Sequence, residues 1–225
     1  AKGAGMIHPN LATMLAFVAT DAAVEPSFLR RALRRAAAAS FNMVTVDGDT
    51  STNDTLLLLA NGQAGNRPIR GEAEGRAFLA ALEEVCIFLA RCIARDGEGA
   101  TKLMEVTVEG AQTQHQARVV ARTVAGSPLV KAALHGNDPN WGRILAAAGR
   151  SGAKLVEGRT DLYLQGHCLM KGGRPQPFDK AEASASLNRA EVSVRVCLNL
   201  GRGRATAWGC DLSEEYVTFN SAYTT

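Results

Sequence analysis

Thr13 stands where a glycine-rich polar stretch, Lys2-Gly3-Ala4-Gly5-Met6-Ile7-His8-Pro9-Asn10, gives way to the apolar run Met14-Leu15-Ala16-Phe17-Val18. The apolar run reads as a buried strand, so Thr13 sits at a loop-to-strand junction. Ala12 precedes it, and its small side chain leaves the Ala12 carbonyl open to attack. A threonine hydroxyl is a weak nucleophile until a base adjoins it, and the free α-amine of an N-terminal threonine is such a base. Thr13 is internal here, so this chemistry requires that the Ala12–Thr13 bond be cut.

Other clusters were weighed for chemistry. Asp47, Asp49 and Ser51 alternate as calcium ligands do, but Thr52 occupies the glycine position of an EF-hand and Leu58 the closing glutamate position. The Asp and Thr side chains of this run are expected to bond the turn backbone, with Asn53 or Asp54 shaping the start of the next strand. Gly97-Glu98-Gly99-Ala100-Thr101-Lys102 has the letters of a phosphate loop in the wrong order. The 4 histidines and 5 cysteines show no metal-ligand spacing, so no metal or cofactor is implied. His135-Gly136-Asn137-Asp138-Pro139-Asn140-Trp141 precedes a helix, with Asp138 expected as its N-cap and Pro139 in its first turn.

The chain has 225 residues, 46% hydrophobic and 21% charged, which suits one large or two small globular domains. A net charge of +3 is too small to argue for nucleic acid. The densest basic cluster, Arg30-Arg31 with Arg34-Arg35, falls on one expected helix and reads as a solvated face. An odd number of cysteines without regular spacing suits a reducing cytoplasm, and no apolar run reaches the length of a membrane span. The opening lacks methionine and lies inside a motif, which is expected of a processed or truncated N-terminus.

Helical spacing is read from Pro26 through the arginines, over Glu72–Arg95, Gln114–Val124, Asn140–Arg150 and Ala181–Asn188. Strands are read at Phe41–Val46, Leu56–Ala60, Leu103–Glu109, Leu129–Leu134, Asp161–Leu164 and His167–Met170. Glu191–Leu198 and Ala205–Cys210 read as a hairpin closed by Asn199–Gly203, and the chain ends in one helical turn and an extended tail. Interleaved strands and helices give an α/β or α+β class. Gly126-Ser127-Pro128 is the best boundary, dividing a nucleophile-bearing core of residues 1–125 from a smaller α/β domain of residues 126–225.

The segment KGAGMIHPNLATMLAF resembles the self-cleavage region of the glutamate N-acetyltransferase (ornithine acetyltransferase) family of arginine biosynthesis. VDGDTSTNDT at 46–55, HGNDPNWGRI at 135–144 and the ending EEYVTFNSAYTT resemble the same family. The likeness runs over essentially the whole chain and is to the second half of such a protein, the β chain with the end of the α chain attached. It implies a layered α-β-β-α, N-terminal-nucleophile-like core. It also implies self-cleavage at Ala12–Thr13, after which Thr13 carries an acetyl group from N2-acetylornithine to glutamate. Lys2 would meet the substrate carboxylate and Glu98 its ammonium; Asn220 and Thr225 would be further substrate contacts. Tyr216, Phe219 and Tyr223 would anchor the tail carrying the last two. The oxyanion donors would lie on the α chain, which would stay bound in a heterotetramer of two α and two β chains. Members of the family differ in whether acetyl-CoA also donates, so that point stays open. The competing reading is an N-terminal-nucleophile aminopeptidase or amidohydrolase of related fold, with water as acceptor. A third is a non-enzymatic binding module.

Overall fold

The computed structural model describes residues 1–8 and 14–222. A short strand β1 (Leu15–Thr20) leads to helix α1 (Pro26–Ala39), strand β2 (Thr55–Ala60) and the long helix α2 (Glu72–Arg95). Then come β3 (Leu103–Ala111), α3 (Gln114–Ala125), α4 (Pro128–His135) and α5 (Trp141–Gly149). The remainder is β4 (Asp161–Leu164), β5 (His167–Lys171), β6 (Arg174–Pro175), α6 (Lys180–Leu187), β7 (Glu191–Cys197), β8 (Gly203–Cys210) and α7 (Glu214–Ala222).

Two sheets result. β1 and β2 pair in parallel, and a mixed sheet runs β6-β5-β4-β7-β3-β8. In the larger sheet Val192, Val194 and Val196 alternate inward with Leu162 and Leu164 opposite them. Helices α2 and α3 pack on β3 and β8, and α1 packs on α2. Exposed Arg30, Arg31, Arg34 and Arg35 line the outer face of α1, while Phe28, Ala32 and Ala36 face the core. Glu25 caps that helix through the amides of Ser27 and Phe28.

Five local readings change. β7 and β8 are not a hairpin: β3 lies between them, parallel to β7 and antiparallel to β8. The loop Asn199–Gly203 is long enough to step over one strand, and Leu200 and Gly201 both donate to the Gly110 carbonyl beneath. Glycine is needed there, because a Cβ at Gly203 would lie 2.3 Å from the Thr113 carbonyl oxygen. Phe41–Met43 is a 3-10 turn, and the residues after it are extended without a ladder: Thr45 donates to Trp208 and Val46 to Ile7. Leu129–Leu134 is helical, within α4. Its apolar run carries Val130, Ala133 and Leu134 at helical spacing behind a proline in the first turn. Asn140, not Asp138, caps α5 by accepting from the Arg143 amide; Asp138 accepts from the Asn140 side chain. The last segment is the two-turn helix α7 rather than an extended tail.

Candidate active site

Residues 1–8 cross the molecule as an extended segment held from several sides. Lys2 exchanges two backbone hydrogen bonds with Leu15, at 2.8 and 3.0 Å, so it lies beside the start of β1. Ala4 accepts from the Glu98 amide at 3.0 Å. The amides of Met6 and Ile7 both donate to the Asp47 carboxylate, at 2.6 and 3.0 Å. Met6 has φ of 51°, a left-handed conformation uncommon outside glycine, and the carboxylate holds its amide in place. Farther along, Thr50 donates to the His8 carbonyl at 3.0 Å. Beyond residues 9–13, the Met14 amide donates to Asp54 and the Thr55 amide returns to Met14 at 2.7 Å. The run at 46–55 therefore grips the chain on both sides of residues 9–13. Ala12, Thr13 and Thr225 lie outside the described residues.

Glu98 and Asn220 come together from opposite ends of the sequence: the Asn220 side-chain amide donates to Glu98 Oε2 at 3.0 Å. Glu98 follows α2 between Gly97 and Gly99, and its carboxylate lies directly over Gly5. A Cβ on Gly5 would fall 2.5 Å from Glu98 Oε2, so glycine makes room for the acid. Gly99 has φ of +66° and a Cβ there would lie 2.5 Å from the Tyr216 amide nitrogen, which lets the start of α7 settle on this loop. Ser213 donates to the Gly99 carbonyl at 2.6 Å. Burial first, then the negative charges of Asp47 and Glu98, push the Tyr216 pKa up to about 12. Tyr216 thus anchors α7, whereas Phe219 is exposed and anchors nothing; Tyr223 lies outside the described residues.

Behind this loop is a buried polar network. Asp211 accepts from the amides of Thr101 and Lys102, from the Thr101 hydroxyl and from His135 Nδ1. These bonds outweigh burial and hold its carboxyl below the usual carboxylate range. Lys102 Nζ reaches the Leu134 carbonyl at 2.6 Å and the Asn137 side chain. The 135–141 run therefore ties the end of α4 to the strand leaving the Glu98 loop. The expected bonding of turn backbone by the 47–54 acids is seen where the Asp49 amide donates to Asp47; the reach of Asp47 and Asp54 across to Met6, Ile7 and Met14, and the role of Asp211, were not given by sequence reasoning.

The structure thus brings Glu98 and Asn220 together over Gly5, while Lys2 is placed by its backbone bonds beside the start of β1. The chain is an α/β protein with a layered N-terminal-nucleophile-like fold. The crystal structure of the arginine biosynthesis bifunctional protein ArgJ from Bacillus halodurans matches it with a TM-score of 0.91 at 44% identity, covering 94% of this chain and 100% of that one. The ArgJ family model matches residues 1–225, and the chain belongs to that family. Arginine biosynthesis bifunctional protein ArgJ of Dehalococcoides mccartyi is 58% identical, and that of Thermus thermophilus 55%, each over 100% of this chain. The chain spans about half the length of these relatives, 56% and 57%.

Proposed function

We propose that the protein containing this chain is a glutamate N-acetyltransferase of arginine biosynthesis that moves the acetyl group of N2-acetylornithine to glutamate. Family membership supports the activity. The observation that carries the mechanism is the double grip of Asp47 and Asp54 on either side of residues 9–13. A chain fixed at both ends around Ala12–Thr13 suits attack of the Thr13 hydroxyl on the Ala12 carbonyl. In that cleavage the Ala12–Thr13 C–N bond breaks as Oγ1 takes the acyl carbon, and water hydrolyses the resulting ester, leaving an Ala12 carboxylate, a free Thr13 α-amine and a free hydroxyl. The α-amine then takes the hydroxyl proton as Oγ1 bonds the acetyl carbon, and ornithine leaves with that proton on its amine. Glutamate's amine attacks the acetyl-threonine carbonyl, the C–Oγ1 bond breaks, and the amine's proton passes through the Thr13 α-amine to Oγ1.

In this reading Glu98 and Asn220 hold the substrate ammonium side, Lys2 meets the carboxylate, and Thr225 adds a further contact. The oxyanion donors come from the α chain, which stays bound in a heterotetramer. Free cysteines among the described residues support a cytoplasmic setting. No helix among the described residues is long and apolar enough to cross a membrane. Intact-mass spectrometry of the whole protein tests the processing: fragments meeting at Ala12/Thr13 are expected, and a single uncut chain in the active enzyme overturns the mechanism. Acetylglutamate should form in excess over free acetate; the reverse makes the protein a hydrolase. Acetyl-CoA, offered in place of acetylornithine, reports whether there is a second donor.

A further inference from the structure

A second cleft, which neither Lys2, Glu98 nor Asn220 lines, opens beside His8 and Gly48. It encloses ≈ 540 Å³ between the end of α1, one face of α3 and the end of α5. That volume falls in the range of small-molecule sites. His115, Arg118 and Arg122 on α3 line it, with Arg150 from the end of α5 and His8 and Asn42 opposite. None of the described residues that line it is a carboxylate.

The charges there are unpaired. Among the described residues, none of Arg118, Arg122 and Arg150 forms a salt bridge. Arg122 is half-buried, and its Nε is buried without a hydrogen-bond partner. An orphaned buried donor costs stability, and more when it is charged. Arg118 and Arg122 are four residues apart on one helix, where like charges repel. Burial also pulls the Arg122 pKa down, and together burial and the Arg122 charge bring His8 down to about 4. The nearby acids Asp47 and Asp49 oppose this at His8 less than burial and Arg122 favour it, and Asp47 is engaged with the Met6 and Ile7 amides. Every feature here is a cost that a bound anion would remove.

We infer that this cleft is a binding site for a phosphate-bearing small molecule, held by Arg118, Arg122 and Arg150. Planar guanidiniums suit phosphate oxygens bidentately. A phosphate carries about −1.5 to −2 charges, against one for a carboxylate, so a diphosphate matches the cluster where a single acidic side chain does not.

Isothermal titration of the whole protein with inorganic pyrophosphate tests this. Saturable binding is expected, weaker at high salt and tighter than that of succinate. Arg122→Gln should raise Kd by about tenfold or more, the loss of a charge-assisted hydrogen bond. If that variant does not fold, the half-exposed Arg118→Gln should show the same loss with self-cleavage intact. Glu98→Gln should leave pyrophosphate binding unchanged, which separates this site from the acetyl-transfer centre. Absence of saturable binding, equal binding of succinate, or full affinity in Arg118→Gln overturns the proposal.

Discussion

Asp54 meets the Met14 amide, the first described backbone group after Thr13. Its charge is half-buried and burial raises its pKa, so the carboxylate is kept there at a cost. Asp54→Ala should therefore slow the appearance of the cut chain, with loss of a charged hydrogen bond worth about 1.5–3 kcal/mol. A wild-type time course on a denaturing gel for that variant removes Asp54 from positioning the scissile bond. Glu98→Gln, by contrast, should cut normally and raise the KM for acetylornithine about tenfold or more. Gly5→Ala should do likewise with little change in Tm, because the Cβ collides only with the far end of the Glu98 side chain. His8 supplies a pH signature. Its folded pKa of about 4 lies below its ordinary 6.5, so the unfolded chain takes up a proton in that window and the folded one does not. Stability present above 6.5 is thus lost as pH falls toward 4. Urea denaturation of the whole protein at both ends of that window should show a smaller loss for His8→Gln. An equal loss would mean His8 is solvated.

The helices α1, α2, α3 and α6 were legible because their apolar residues recur at helical spacing. β7 was legible from its valine alternation, but its neighbour was not. Strand order depends on contacts between residues 103–111 and 191–210, and no local pattern encodes that β3 separates two successive strands. The same sheet joins strands from both sides of the Gly126-Ser127-Pro128 boundary. The meeting of Glu98 with Asn220 was legible only through family resemblance, since nothing in either side chain names the other. What joins them is a close approach of the Gly99 loop to α7. Gly99→Ala should undock that helix: its left-handed φ alone costs about 1–2 kcal/mol for a residue with a Cβ, before the collision with the Tyr216 amide. The expected result is faster amide exchange confined to 213–222, and a raised KM with cleavage unaffected. Protection as in the wild type would show that α7 docks without this contact.

On the scale of the molecule, the outer face of the β1–β2 pair stands apart. Leu15 (47% exposed), Phe17 (60%), Leu57 (44%) and Leu59 (58%) share one side, while Ala16, Val18, Leu56 and Leu58 turn to the core. Both runs were read as buried strands, and only half of each is covered by this chain. Parallel strands are ordinarily covered on both faces, and a lone pair of strands is marginal in water. The relatives are nearly twice as long as this chain, so residues outside it are available to cover this face. β1 begins at Leu15, two residues beyond Thr13, so cover of this face bears on the segment of the proposed cleavage as well as on solubility. This chain produced alone should self-associate through that face, bind a hydrophobic dye and lack acetyl transfer; co-production with the rest of the protein should abolish the first two and restore the transfer. Phe17→Asp in the whole protein should weaken the association of the cut chains, read as dissociation at lower urea than the wild type. If the isolated chain is monomeric, dye-silent and active, the face needs no cover and the α chain is not required for catalysis.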